Sequence, residues 1–78
     1  MYIEFRLPTG AGGMAAACAV TILRSQIAKW ADVHDIPYKT KIHKYTFRLC
    51  LESDADYTLF QLSWTNRMIE YAIVHPQS

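Results

Sequence analysis

Between Met14 and about Asp35 the apolar residues recur at the period of an α-helix. Ala16, Ala19, Val20, Leu23, Ile27, Trp30 and Ala31 fall on one side, with Thr21, Arg24, Ser25, Lys29 and Asp32 opposite. A long helix with one apolar stripe must lay that stripe on something, so the remainder of the chain has to provide a second layer. The alanines near its start favour helix and allow close approach to a sheet. Pro37 disfavours helical geometry at Ile36 and so ends the element.

The flanking segments carry the other period. Tyr2 to Leu7 alternates, with Ile3, Phe5 and Leu7 on one side and Tyr2, Glu4 and Arg6 on the other, as in a half-buried strand. Pro8 to Gly13 breaks it, because proline removes a ladder donor and Gly10, Gly12 and Gly13 permit unusual backbone angles. Tyr38 to Glu52 is rich in β-favouring residues but longer than an ordinary strand. A turn near His43-Lys44 would give a polar strand over Tyr38–Ile42 and a core strand with Phe47, Leu49 and Leu51 inward. Ser53 can cap free amides, and Asp54 and Asp56 suit the positive end of a helix dipole. A short helix is therefore expected from Ala55 to about Trp64, although Tyr57 to Trp64 also alternates like a strand. Thr65 to Arg67 reads as a turn. Met68 to Val74 reads as a last strand with Ile69, Tyr71 and Ile73 on one face, followed by a frayed end from His75.

The order strand, helix, strand, strand, helix, strand resembles the ferredoxin-like βαββαβ arrangement, an α+β fold with two helices packed on one face of an antiparallel sheet. The other face would then carry Tyr2, Glu4, Arg6, Thr46, Arg48 and Glu70. The resemblance lies in element order alone and implies no function.

At 78 residues the chain is one domain, residues 1–78. So small a domain buries only about 60–65% of the surface of its unfolded chain and needs support beyond its core. Cys18 and Cys50 sit among apolar neighbours and are expected to be buried, reduced and unlinked. Those cysteines and His34, His43 and His75 lack the paired spacing of a zinc site, so neither metal nor cofactor is expected. Burial against a partner subunit remains, and an apolar share of 51% with 13% aromatic residues agrees with it. The formal charge of +1 predicts no strong attraction of the whole chain to nucleic acid or membrane. With neither a signal-peptide pattern nor a membrane-length apolar run in the sequence, the expected location is the cytoplasm.

Two motifs invite chemistry. Gly10-Ala11-Gly12-Gly13-Met14-Ala15 has the form of a dinucleotide loop between strand and helix, where free amides can hold a phosphate. The chain is too short for a dinucleotide domain and lacks the acidic ribose partner, so a turn is the favoured reading and an anion site at Gly10, Gly12 and Gly13 the alternative. The second motif is basic and aromatic: Tyr38, Lys39, Lys41, His43, Lys44, Tyr45, Phe47 and Arg48. Lys39, Lys41, Lys44 and Arg48 could track the backbone of single-stranded RNA. Lysines on an edge strand also serve to block aggregation, which is favoured. His34, near a helix end, suits the dipole better than general-base work, and no catalytic spacing is visible.

The sequence thus points to a non-catalytic interaction module that self-associates as a dimer or binds a partner protein through apolar and aromatic surface. Its expected contacts are Tyr57, Phe60 and Trp64, at i, i+3 and i+7 of the short helix, with Tyr38 and Tyr45; completion of the core is the equal alternative for the three helix rings. In character it is similar to small accessory proteins of phages and mobile elements. An RNA- or phosphate-binding domain is the alternative from another class.

Overall fold

The computed structural model describes residues 1–8, 13–43, 45–66 and 69–75. They form strand β1 (Tyr2–Arg6), helix α1 (Met14–His34), strands β2 (Tyr38–His43) and β3 (Thr46–Leu51), helix α2 (Asp54–Ser63) and strand β4 (Tyr71–Val74). The four strands make one antiparallel sheet in the order β2-β3-β1-β4. The fold is α+β.

Each element ends for a local reason. α1 begins after Gly13, whose φ of 71° lies in the left-handed region that glycine adopts without strain. It closes through Asp35, at φ 53°, whose backbone N–H reaches the carbonyls of Ala31 and Asp32. The left-handed residue therefore stops the helix, and Pro37 follows two positions on. At the start of α2, the Ser53 side chain accepts a hydrogen bond from the Asp56 N–H at 3.3 Å, with Asp54 and Asp56 in the first turn. This cap favours helix for a segment whose alternation also suited a strand. The β2–β3 turn is held by the Thr46 hydroxyl, which donates to the His43 carbonyl at 2.7 Å.

One core joins the layers. Ile3, Phe5, Leu7, Phe47, Leu49 and Leu51 from the sheet meet Ala19, Leu23, Ile27, Trp30 and Ala31 of α1, Tyr57 and Phe60 of α2, and Trp64 just beyond it. Phe5 is its hub, with ring centroids 6.2 Å from Phe47, 6.0 Å from Phe60, 5.8 Å from Trp64 and 5.7 Å from Tyr71. These tilted and edge-on geometries are the ones aromatic quadrupoles favour. The aromatic complement is thus largely taken up inside the domain.

Two expectations are corrected. Cys18 and Cys50 are free but exposed. Cys50 sits between inward Leu49 and Leu51, so the period of two turns it outward. Cys18 precedes Ala19 on α1 and lies beside the buried stripe rather than within it.

Candidate functional site

The expected contact rings divide between core and surface. Tyr57, Phe60 and Trp64 are buried, whereas Tyr38 and Tyr45 are exposed. In this chain the i, i+3, i+7 stripe of α2 is its core face, because α2 has no other row of buried residues to lay on the sheet. The Tyr57 hydroxyl accepts the Leu51 N–H at 2.9 Å and donates to the Met1 carbonyl at 2.5 Å, tying together the start of the chain, the end of β3 and α2. Burial, the largest cause, raises its pKa above the ordinary 10.0, and the hydrogen bond with Leu51 opposes the rise. Trp30 Nε1–H donates to Ser63 Oγ at 2.7 Å, and that hydroxyl donates on to the Leu59 carbonyl at 2.6 Å. Trp64 Nε1 is buried with no hydrogen-bond partner among the described residues.

A groove lies beside this aromatic core. Trp30 and Trp64 line it together with a second row of α1 that the sequence reading did not single out: Ala15, Cys18, Ile22, Gln26, Lys29 and Val33. These follow one another at steps of three and four, so they form a seam adjoining the buried stripe. The opposite wall is Ser63, Thr65, Asn66 and Ile69, and the Asn66 amide donates to Gln26 Oε1 at 2.6 Å across the gap. The groove holds about 1120 Å³ and opens to solvent. Of its lining residues Ile22 is 49% exposed and Val33 71%. His34 closes α1 with its ring 5.3 Å from that of Trp30. The signal for this seam was present in the sequence, since Cys18, Ile22 and Val33 are apolar residues outside the main stripe.

The basic strand has a different environment. Cross-strand partners share a face, so Lys39, Lys41 and His43 lie with Cys50, Arg48 and Thr46 on the sheet face opposite the core. There Arg48 Nε stands 3.5 Å from a Glu4 carboxylate oxygen, and its guanidinium lies 4.8 Å from the centroid of the Tyr2 ring. Arg6 and Glu70 approach within 4.0 Å, both largely exposed. This face therefore carries the mixed charges expected of it, and Arg48 is engaged by Glu4. Lys44, Gly10 and Gly12 lie outside the described residues; Gly13 precedes α1, and a Cβ placed on it would meet nothing within 4 Å among the described residues.

In comparison with known proteins, no family model, no curated protein and no solved structure matches the chain. Among the described residues no group of three or more His, Cys, Asp or Glu side chains could hold a metal ion, and no helix is long and apolar enough to cross a membrane.

Proposed function

We propose that the chain is a small non-catalytic interaction module of ferredoxin-like βαββαβ design that associates with a second copy of itself through the outer seam of α1. The strand order β2-β3-β1-β4, antiparallel throughout, supports the design, as does the single core shared by both helices and the inward side of the sheet. The exposure of Ile22 and Val33 beside the open groove carries the functional reading. An apolar seam at steps of three and four is the spacing with which one helix packs on another. A small domain also gains stability from burying such a seam. Lys29 is the one lysine of the seam and no acid shares it, so antiparallel copies, which separate the two lysines, pack better than parallel ones. Two exposed free thiols suit a reducing compartment, which supports the cytoplasm as the place of work.

Light scattering across a concentration series tests this. The wild type is expected to give a dimer mass at micromolar concentration. Ile22→Glu, at a position outside the core, is expected to give a monomer with an unchanged circular-dichroism spectrum. A monomeric wild type at high micromolar concentration overturns self-association.

A further inference from the structure

The edge of the sheet at β2 has a chemistry of its own. β2 pairs with β3 in unbroken register from Tyr38↔Leu51 to His43↔Thr46 and stands at the end of the strand order, with all six residues exposed. Sheet edges are ordinarily blunted by shortness, bulges, proline or charged side chains, lysine above all. β2 is six residues long, its register has no bulge and its nearest proline, Pro37, precedes it, so its lysines are the one such device it carries, and they repel a like-charged strand but not an acidic one. Its two sides differ. Tyr38, Thr40 and Ile42 lie on the side of core residues Leu51, Leu49 and Phe47, yet Tyr38 remains 37% and Ile42 44% exposed. On the other side Lys39 and Lys41 have no acidic partner among the described residues, because Glu4 and Glu70 are engaged with Arg48 and Arg6. The cross-strand neighbour of Lys41 is Arg48, a like charge.

We propose that β2 is a docking edge for an extended segment of a partner protein that alternates acidic and apolar residues. Such a segment adds a fifth strand, as in recognition by strand addition. Its acidic side chains face Lys39 and Lys41, and its apolar side chains continue the covered side of the sheet beyond Tyr38 and Ile42. A second copy of this chain is the wrong occupant. Antiparallel pairing of β2 with itself puts the lysines of both copies on one face, where like charges repel. The inference rests on the module being a protein binder but uses a surface separate from the α1 seam.

The test uses a labelled peptide of alternating glutamate and valine, about eight residues long to match an ordinary strand, followed by fluorescence anisotropy. Controls are the same composition with all glutamates first, and alternating lysine and valine. The wild type is expected to bind the alternating acidic peptide saturably and neither control. The double variant Lys39→Glu/Lys41→Glu is expected to weaken that binding by about tenfold or more, roughly 1.4 kcal/mol, and to gain binding of the alternating lysine peptide. This exchange shows that the variant is folded. No saturable binding up to millimolar peptide, equal binding of the reordered control, or dissociation of a wild-type dimer by the double variant each overturns the proposal. Ile22→Glu is expected to leave peptide binding unchanged. A monomeric wild type that binds the peptide therefore removes the dimer and keeps the edge, and a dimer that ignores the peptide does the reverse.

Discussion

A single phenolic oxygen joins three parts of the chain, and its removal should be felt. Tyr57→Phe keeps the ring in the core but leaves the buried Leu51 N–H without its acceptor, a loss of about 1–3 kcal/mol. Chemical denaturation of the two proteins measures it. The pH dependence follows from the raised pKa. The folded state holds the proton more tightly than the unfolded chain, so the contribution of Tyr57 is complete below pH 10.0 and is lost as pH climbs through the higher folded value. The wild type should therefore lose stability in that alkaline window more steeply than Tyr57→Phe. The two buried indoles give a paired comparison. Trp30→Phe strips Ser63 of its donor and should cost about 1 kcal/mol or more. Trp64→Phe removes a donor that has no partner among the described residues, so the lost ring volume is partly offset and its cost should be the smaller of the two. Thermal melts of both variants decide the order. At this scale the sequence was only partly legible. The period of two that turned Leu49 and Leu51 inward also turned Cys50 outward, so pattern outweighs the apolar character of the residue.

Among the elements, α1 and the β2–β3 pair were readable because each has a strong period, and the turn near His43 falls where the polar strand gives way to the core strand. α2 was ambiguous because its residues satisfy both periods, and the Ser53 cap favours the helix. Ser53→Ala should cost about 1 kcal/mol. Asp35 holds a left-handed angle without glycine's freedom, so Asp35→Gly should stabilise the domain by roughly 0.5–1 kcal/mol. Urea midpoints of the two variants, expected to move in opposite directions, check both. The proposed interaction surface was harder to read. A stripe on a helix has the same spacing whether it meets a sheet or a partner, and Tyr57, Phe60 and Trp64 all went to the core. The seam of Cys18, Ile22 and Val33 is fainter because Gln26 and Lys29 interrupt it.

For the whole molecule, the charges that suggested RNA are distributed against it. Among the described residues of the basic motif Arg48 is matched by Glu4, which leaves Lys39 and Lys41 for phosphate contacts; Lys44 lies outside the described residues. Filter binding at physiological salt should find no single-stranded RNA held more tightly than about the 10⁻⁴–10⁻⁶ M of non-specific association; a nanomolar complex would replace the protein-binding reading. The strand order has a further effect on how the chain is made. β1 is synthesised first yet lies inside the sheet, with Ile3 paired to Leu49 on one side and Ile73 on the other. Only β2 and β3 are close enough in sequence to zip together early, so the nascent chain carries an unmatched β1 until the hairpin emerges. Its second edge stays open until β4 has left the ribosome. The sheet then completes only once β4 has emerged, because closing the widest loop comes last. A nascent chain stalled before Tyr71 would present β1, with buried-type Ile3 and Phe5 upon it, as a sticky margin to its neighbours.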